Sequence, residues 1–386
     1  MAIGSFLMMA ALSVNLTVSN PTDMQRQELV AVDMNQIGVK AETPFVVVNG
    51  KGQEVDYQVS YDGKLLIDAC VTPHGTTTFT VKEGVPREMK TWVKGAMYPL
   101  RKDDVAWEND RGAYRIYGPA LQRTGEKAYG IDVWTKNTPE LVVADRYYKD
   151  YQGNVEEDML RRQGKKEEAR QLDILSSFHY DQGNGLDCYG VGPSLGCGAP
   201  ALMVGGQLQM PWCYQTYQIL DNGPLRFTVE LTYAHGEHRI ISLDKGSNFN
   251  RITVWYDSIP ARADLAAGVV IHQADTKSVV TGKDFVAYAD PTDQPRHHGY
   301  QLYVAALFPE GAETQTLMLK QPQGEIAGHA LGIVRKATVG QHYTYYAGSA
   351  WSCYDVRTFR EWQLRIEEFL EAVKSPLTVT LSTPQP

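Results

Sequence analysis

The densest group of charged and aromatic residues lies just before and at the start of a predicted strand. Its members are Trp107, Glu108, Asp110, Arg111 and Arg115. Arg111 and Arg115 are four residues apart, so on a strand both side chains would project to the same face. Two guanidinium groups on one face can bind a carboxylate or a sulfate through paired hydrogen bonds. The indole of Trp107 can support a sugar ring. The alternative is a network of Arg–carboxylate ion pairs that makes the start of the strand rigid.

A glycine-rich loop carries the second group of polar side chains, which are His179, Tyr180, Asp181, Asp187 and Tyr189. Six glycines between residues 183 and 198 argue against a regular helix and let the backbone approach another group closely. Loops that present acid, imidazole and phenol groups on a rigid β scaffold are common positions for functional sites. The alternative is a tight glycine turn held together by Asp–backbone hydrogen bonds.

Other motifs are less specific. Gly192-Pro-Ser-Leu-Gly196 matches the pattern of a nucleophile elbow, but neither a strand before Ser194 nor a helix after it is predicted. His235 and His238 lack the helix that would bring two imidazoles to one zinc ion. We therefore predict no metal site, and we predict no nucleotide cofactor because a strand–loop–helix phosphate cradle is also missing.

Two residues further along the chain complete the candidate set. His272 lies in an apolar run, where a histidine is more typical of a hydrogen-bonded core position than of a catalytic base. Trp351 follows a Tyr-rich segment and could line a second aromatic wall. The excess of tyrosine over phenylalanine, 22 to 10, suits a wet, ring-stacking site. A β-rich protein that uses Tyr on its strands would show the same excess.

The composition limits the class of protein. With 37 basic and 45 acidic residues the net charge is −8, so the sequence lacks the basic excess of a nucleic-acid binder. The content of 43% hydrophobic and 21% charged residues is that of an ordinary folded protein. Five cysteines without any Cys-x-x-Cys pair argue against a zinc ribbon or a disulfide-linked scaffold.

The elements that must position these residues are mostly strands. Residues 1–13 are apolar and resemble the hydrophobic region of a secretory signal, although the basic start is missing. Short alternating strands, with turns at Asn49-Gly50 and Asp62-Gly63, predict an N-terminal β-sandwich over residues 14–95. No later run reaches the roughly 18 apolar residues of a membrane span, so none is predicted.

Between residues 96 and 386 the strands lengthen, which predicts one large antiparallel β domain that carries the site. Two helices interrupt these strands. The first, over residues 155–172, is rich in charged residues and indicates a solvated helix. The second, over residues 358–373, places Trp362 and Ile366 on one apolar face.

Several of these segments together resemble a known family. They are residues 107–121, residues 130–134, His179-x-Asp-x-Gly-x-Gly-x-Asp-x-Tyr189 with Gly192 and Gly196, and Leu243-Asp-x-Gly-Ser-Asn248. In order and spacing they are similar to the family called domain of unknown function 4861, over nearly the whole chain after the apolar start. Cys188 departs from the pattern, because an aromatic or small apolar residue is expected there.

The resemblance implies a fold and a setting. The large domain of that family is similar to the galactose-mutarotase-like super-sandwich, which many lyases, hydrolases and epimerases of sugars share. The family occurs in polysaccharide-degrading bacteria, in gene clusters that dismantle acidic glycans. The resemblance therefore implies an acidic oligosaccharide substrate and a periplasmic or secreted location, although a shared fold predicts chemistry poorly.

On this basis we expect an enzyme that acts on uronic-acid oligosaccharides by β-elimination or dehydration. Such a reaction needs a cation for the carboxylate, which Arg111 can supply, and a base and an acid, which His179 with Tyr180 or Tyr189 can supply. The predicted substrate-binding residues are Trp107, Glu108, Asp110, Arg115, Asp181, Asp187, His272 and Trp351. The alternatives are a glycoside hydrolase with two carboxylates roughly 5 to 10 Å apart and a non-catalytic oligosaccharide-binding protein.

Overall fold

The computed structural model describes residues 13–39, 43–210, 212–274, 276–291 and 299–383. Within these residues the strands pair in five antiparallel sheets, which confirms the predicted all-β fold class. The chain divides into two compact units, one formed by residues up to 91 together with those from 375 onward, the other by residues 92–374. Of the predicted signal-like segment 1–13, only Ser13 lies among the described residues.

Two sheets face each other in the first unit. Its strands up to residue 91 are β1 (Ser13–Ser19), β2 (Arg26–Asp33), β3 (Phe45–Asn49), β4 (Tyr57–Val59), β5 (Lys64–Val71) and β6 (Thr76–Glu83), with one helical turn, α1 (Met34–Ile37), after β2. One sheet contains β1, β6 and β3, and the other contains β2, β5 and β4. Because apolar residues alternate along these strands, each sheet buries one face. Leu16, Phe79, Leu65 and Ile67 from the two sheets share one core.

The second unit contains the longer strands. They are β7 (Lys94–Tyr98), β8 (Asp104–Glu108), β9 (Ala113–Ile116), β10 (Asp132–Trp134), β11 (Cys197–Val204), β12 (Gln207–Gln209), β13 (Thr216–Asn222), β14 (Arg226–Tyr233), β15 (Glu237–Asp244), β16 (Phe249–Tyr256), β17 (Asp264–Ile271), β18 (Val279–Thr281), β19 (Phe285–Asp290), β20 (Leu302–Leu307), β21 (Glu313–Gln323), β22 (Ile326–Val334) and β23 (Tyr343–Trp351).

These strands form a large double sheet with a smaller sheet beside it. The strand order is β13-β14-β15-β16-β23-β20-β19-β18 in the largest sheet and β12-β11-β17-β22-β21 in the next. Ile252 and Val304 from the first and Val269 and Leu331 from the second belong to one core. The remaining sheet has the order β10-β9-β8-β7. It carries the first group of predicted site residues.

Four helices accompany these strands among the described residues, namely α2 (Pro119–Arg123), α3 (Val143–Arg162), α4 (Lys166–Ser176) and α5 (Phe359–Lys374). The single helix predicted over residues 155–172 is therefore wrong. Gly164 follows the end of α3 with a φ of +79°, which glycine adopts without strain, and α4 begins two residues later. The second helix is confirmed, because Trp362 and Ile366 of α5 are buried against Phe249.

The last strand, β24 (Thr378–Ser382), pairs antiparallel with β1 in the first unit. The predicted large domain ran on to residue 386, whereas residues from 375 onward belong to the first unit. A boundary drawn along the sequence misses such a strand, because pairing between the two ends of a chain leaves no local signal.

The four-stranded sheet of the second unit has two different faces. On one face Val105, Tyr114 and Val133 join the main core. On the other face Ala106 and Trp134 pack against residues of α3 in a smaller cluster. Because side chains alternate along a strand, the polar residues that share this second face are Asp104, Glu108, Arg115 and Asp132.

Candidate functional site

Arg115 lies at the centre of a buried ion network on the α3 side of the four-stranded sheet. The register of β9 and β10 sets Asp132 directly opposite it, and the Nε and Nη2 atoms of Arg115 both donate to Oδ2 of Asp132, at 2.8 Å for Nε. Nη2 also donates to Oδ2 of Asp187 at 2.8 Å. Nη1 lies 3.6 Å from Oδ2 of Asp104. One guanidinium group thus holds three carboxylates together.

The contact between Arg115 and Asp187 joins the two segments that the sequence singled out. Arg115 belongs to the group before and within β9, and Asp187 belongs to the glycine-rich loop, 72 residues further along the chain. The alternative interpretation of the first group, a network of Arg–carboxylate ion pairs at a strand, describes Arg115 well.

Phenol groups and aromatic rings enclose this network. Tyr117 donates its hydroxyl to Oδ2 of Asp132 at 3.0 Å, and Tyr147 donates to Oδ2 of Asp104 at 3.2 Å. The guanidinium carbon of Arg115 lies 5.1 Å from the Trp134 ring centre and 5.0 Å from that of Tyr117. Burial raises the pKa of both tyrosines well above the usual value, so both phenols stay protonated and act as donors.

The charges of the network do not balance. Burial raises the pKa of Asp104 to about 6, although the charges of Arg115 and Arg101 act in the opposite direction. Burial also raises the pKa of Asp132, again against the charge of Arg115. Three carboxylates near one guanidinium repel each other, and the low dielectric strengthens that repulsion. A cluster of this kind binds a proton much more readily than an exposed aspartate, as acid–base sites commonly do.

His179 lies at the solvent side of the network. Its side chain is 53% exposed, and its Nδ1 lies 3.1 Å from the backbone oxygen of Asp187 and 3.7 Å from the Oδ2 atom of Asp187. A backbone oxygen can only accept, so Nδ1 carries the hydrogen. In the neutral imidazole the free lone pair is then on Nε2. The loop thus fixes the ring in the tautomer of a base.

Two further charged residues, Arg101 and Asp150, lie beside His179. The guanidinium carbon of Arg101 is 5.4 Å from the ring centre of Phe178, and the His179 ring packs edge-on against the same ring at 4.7 Å. Burial raises the pKa of Asp150, while the charges of Arg101 and His179 and hydrogen bonds from Phe178 and Ser177 lower it. Neither residue was predicted from the sequence.

Other residues of this site were missed as well, namely Asp104, Asp132 and Tyr147. Asp132 lies within residues 130–134, one of the segments that carry the family resemblance. That segment was the one available signal. What sequence could not supply was the strand pairing that sets Asp132 opposite Arg115.

Two predicted substrate-binding residues are buried in structural roles. Trp107 has no exposed surface, stacks on Phe227 with ring centres 5.9 Å apart, and donates its indole N–H to Asn250 at 2.7 Å. It therefore cannot support a sugar ring. Glu108 binds the Nζ atom of Lys136 at 2.7 Å and accepts hydrogen bonds from amides at the start of α3. Its carboxylate holds the helix in place.

The predicted pair of arginines does not form. Arg111 precedes β9, which begins at Ala113, so the alternation of a strand does not extend to it. Its guanidinium makes an ion pair with Asp355, whereas Arg115 pairs with other carboxylates such as Asp132. Asp110 accepts a hydrogen bond from the amide of Gly246 at 2.7 Å. The prediction that Arg111 and Arg115 together clamp a substrate carboxylate is therefore wrong.

The glycine-rich loop combines both interpretations given to it. Oδ1 of Asp181 accepts hydrogen bonds from the amides of Gly183 and Gly185 at 2.8 and 2.9 Å, as a tight glycine turn requires. Tyr180 is partly exposed and lines a small surface pocket of about 10 Å³ together with Phe178 and Arg146. The turn therefore orders the loop, while His179 and Tyr180 remain open to solvent.

The other predicted residues belong to a second, buried cluster. The Tyr189 ring is buried and packs edge-on against His272 at 5.3 Å, and burial raises its pKa well above the usual value. His272 contacts Oδ2 of Asp290 through Nδ1 at 2.6 Å and the Gly190 oxygen through Nε2 at 2.5 Å. Trp351 is 2% exposed. Tyr189, His272 and Trp351 are thus core residues, and none of the three side chains is open to a substrate.

A separate cavity of about 120 Å³ lies between strands of the two large sheets, lined by residues such as Leu265, Phe308, Val334, Tyr343 and Tyr345. Its lining is mostly apolar and includes none of the predicted catalytic residues. The ion network around Arg115 and His179 does not line this cavity.

Neither a metal cluster nor a membrane helix occurs in the part of the chain that the structure describes. There, three or more His, Cys, Asp or Glu side chains nowhere converge on a point that could hold a metal ion. The guanidinium of Arg115 occupies the space between the three aspartates. No helix in the described ranges is long and apolar enough to cross a bilayer.

Two solved structures are similar to this chain in fold. The chain is similar to an α-mannosidase from Enterococcus faecalis, with a TM-score of 0.51 and 8% identity over 97% of this chain and 46% of that one. A glycosyl hydrolase family 38 protein from the same organism gives a TM-score of 0.50 and 9% identity, over 96% of this chain and 47% of that one. The chain thus spans about half the length of these solved structures, and the likeness is one of fold.

The chain belongs to the family described as domain of unknown function 4861, whose pattern matches residues 18–379. This confirms the resemblance seen in the sequence. A curated relative, called uncharacterized protein P7, comes from Formosa agariphila. It is 27% identical over 324 residues, which is 78% of this chain and 73% of the relative.

Proposed function

We propose that this protein is a carbohydrate-active enzyme that cleaves or dehydrates uronic-acid-containing oligosaccharides, with His179 as the base. The observation that carries the proposal is the setting of His179. Its Nδ1 is bound to the Asp187 oxygen at 3.1 Å, and its half-exposed ring lies near Asp150, a carboxylate whose pKa burial raises. An oriented imidazole whose Nε2 carries the free lone pair can act as a general base.

Two comparisons support a carbohydrate substrate. The solved structures of similar fold are named as an α-mannosidase and as a glycosyl hydrolase family 38 protein. The family resemblance supports a glycan that carries acidic groups. A periplasmic or secreted location is part of the proposal, since it fits an extracellular glycan.

In the proposed reaction, Nε2 of His179 removes the proton from the carbon next to the sugar carboxylate. The electron pair of that C–H bond forms a carbon–carbon double bond, while the bond from the adjacent carbon to its oxygen breaks. Tyr180, which is partly exposed beside His179, donates the proton that the leaving oxygen needs. A glycosidic oxygen leaves as a second sugar, and a hydroxyl leaves as water.

A first prediction tests this role. His179→Ala removes the base, so turnover should fall by about 100-fold or more, the usual scale for a lost proton-transfer group. The measurement is the ultraviolet absorbance of unsaturated uronate formed from glucuronate-containing oligosaccharides. His74→Ala is the matched control, because His74 is an exposed histidine of the first unit and should leave turnover unchanged. Wild-type turnover in the His179→Ala variant would reject the mechanism.

A second candidate is a glycoside hydrolase that uses two carboxylates. The solved structures of similar fold, an α-mannosidase and a glycosyl hydrolase family 38 protein, favour it. A hydrolase would release new reducing ends without ultraviolet absorbance. Saturable binding of the same oligosaccharides without any product would instead indicate a binding protein.

A further inference from the structure

The guanidinium of Arg101 makes no hydrogen bond among the described residues. Its Nε atom is buried, and among the described residues no acceptor binds this nitrogen. No ion pair to Arg101 occurs within the described ranges either, although Asp104 and Asp150 are close enough to be influenced by its charge. Arg101 is partly exposed, so its other guanidinium donors, which make no hydrogen bond among the described residues, can bind an external anion.

The other arginines nearby are held by hydrogen bonds within the protein. Arg115 binds Asp132 and Asp187. Arg146 donates to the backbone oxygens of Thr135 and Asn184. Each keeps one buried nitrogen, Nη1, without an acceptor. Arg101 differs from both because its guanidinium makes no hydrogen bond to any of the described residues.

The position of Arg101 relates it to the proposed base. Arg101 ends a 3₁₀ turn over residues 99–101, and its guanidinium carbon lies 5.4 Å from the centre of the Phe178 ring. The ring of His179 packs edge-on against the same phenyl group at 4.7 Å. Phe178 itself is buried in the small cluster under α3 and keeps both groups in place.

We propose that Arg101 is the residue that binds the negatively charged group of the substrate, a carboxylate or a sulfate, beside His179. This inference rests on the proposed function and assigns to Arg101 the role that the sequence suggested for Arg111. A planar guanidinium can hold either oxyanion through two parallel hydrogen bonds. Burial disfavours the charged forms of Asp104 and Asp150, which reduces their repulsion of an incoming anion.

The test measures binding rather than turnover. In the His179→Ala background, isothermal titration calorimetry compares a glucuronate-containing trisaccharide with its carboxyl-reduced form. We expect Arg101→Gln to weaken binding of the acidic trisaccharide by roughly tenfold or more and to leave the reduced form unchanged. Arg101→Lys keeps the charge but cannot donate two parallel hydrogen bonds, so its effect should be intermediate. Arg170→Gln is the matched control, because Arg170 is an exposed arginine of α4.

Inorganic sulfate separates the two anion sources. If the site takes sulfate esters, sulfate should compete with the acidic trisaccharide in the parent protein and fail to compete for the residual binding in Arg101→Gln. If it takes only carboxylates, sulfate should leave the affinity unchanged while the effect of Arg101→Gln remains. Circular dichroism and the melting temperature check that each variant is folded.

Several results would overturn the inference. They are an Arg101→Gln variant that binds the acidic trisaccharide as tightly as the parent, an equal loss for the reduced form, or no binding by the parent. These outcomes differ from a failure of the proposed function. If binding depends on charge through Arg101 but the native protein forms no unsaturated product, elimination is rejected and the anion site is retained. If product forms but Arg101→Gln keeps the same preference for the acidic substrate, the anion site is rejected and elimination is retained.

Discussion

Two buried histidines of the second unit have opposite protonation states. His272 donates both ring N–H groups, to Asp290 and to the Gly190 oxygen, and is therefore an imidazolium. Burial alone would lower the pKa of His272, but the charge and hydrogen bond of Asp290 raise it overall. Burial and the charge of His272 lower the pKa of His329 to about 4, and its Nε2 accepts a hydrogen bond from the Leu195 amide.

These shifts affect stability in opposite pH ranges. His272 binds its proton more tightly in the folded state, so its contribution is complete below about pH 6.5 and is lost as the pH rises through its raised pKa. His329 is neutral when folded. Its contribution is complete above about pH 6.5 and is lost as the pH falls toward its folded pKa of about 4.

We predict that His329→Gln makes the free energy of unfolding less dependent on pH between 4 and 6.5 than in the native protein. In that range the unfolded chain binds a proton at His329 that the folded protein does not bind, so stability rises with pH. A glutamine oxygen can still accept from Leu195 but does not titrate. Urea unfolding at several pH values gives the slopes, with the exposed His235→Gln as control. Equal slopes in His329→Gln and the native protein would contradict the assignment.

At the scale of elements, Glu108 links a strand to a helix. It lies at the end of β8, and its two carboxylate oxygens accept from the amides of Val142 and Val143 at 2.7 to 2.9 Å. Negative charge at a helix start is favourable because the first amides have no partner within the helix. Burial lowers the pKa of Lys136, and the charge of Glu108 opposes that shift. Each of the two buried charges is therefore stable only in the presence of the other.

We predict that Glu108→Gln lowers the free energy of unfolding by about 3 kcal/mol, because it leaves Lys136 buried without a counter-charge. The double variant with Lys136→Met should recover a large part of this loss, since the uncompensated charge is gone. Denaturant unfolding measures the native protein, both single variants and the double variant, and Glu371→Gln on the exposed side of α5 serves as the matched control. Additive losses in the double variant would show that the ion pair contributes little.

The sequence predicted the turns well but did not predict which strands pair. The turn at Asp62-Gly63 joins β4 to β5 as a hairpin, because Gly63 adopts the positive φ that the turn needs. The turn at Asn49-Gly50 forms too, but β3 pairs with β6 instead of the next strand. Trp107 was expected to be open to a sugar, because the sequence did not show which strands would cover it. Whether a face is buried depends on which distant strands cover it.

The candidate site shows the same division. The sequence identified His179, Tyr180, Arg115 and Asp187 from residue types within two short segments. It could not show that Arg115 would be neutralised by Asp132, or that Arg101 would lie beside Phe178. Both facts follow from contacts between residues far apart in the chain, which composition and spacing do not encode.

At the scale of the whole molecule, the two ends of the chain meet in the first unit. β24 pairs with β1 over five residues, from Asn15 opposite Ser382 to Ser19 opposite Thr378. Leu377, Val379 and Leu381 of this segment pack against the first core. Without them β1 would become an edge strand with unpaired backbone groups and a partly exposed apolar face.

We predict that removal of residues 376–386 destabilises the first unit and spares the second. Backbone amides of β1 and β6 should exchange with deuterium roughly tenfold faster or more, because local opening there loses the strand pairing and the apolar contacts of β24. Amides of β16 should keep their protection, since the second unit has its own core. Hydrogen exchange with mass spectrometry measures both regions in one protein.

Two point variants of β24 separate strand pairing from packing in that experiment. Val379→Asp places a charge on the side that packs against the first core, so it should reproduce much of the faster exchange in β1. Thr380→Lys changes the exposed side of the same strand and should leave exchange close to that of the native protein. If the truncated protein retained native protection in β1, the pairing of the chain ends would contribute nothing to the stability of the first unit. Equal acceleration by both point variants would instead mean that any change in β24 opens the strand, whichever face it alters.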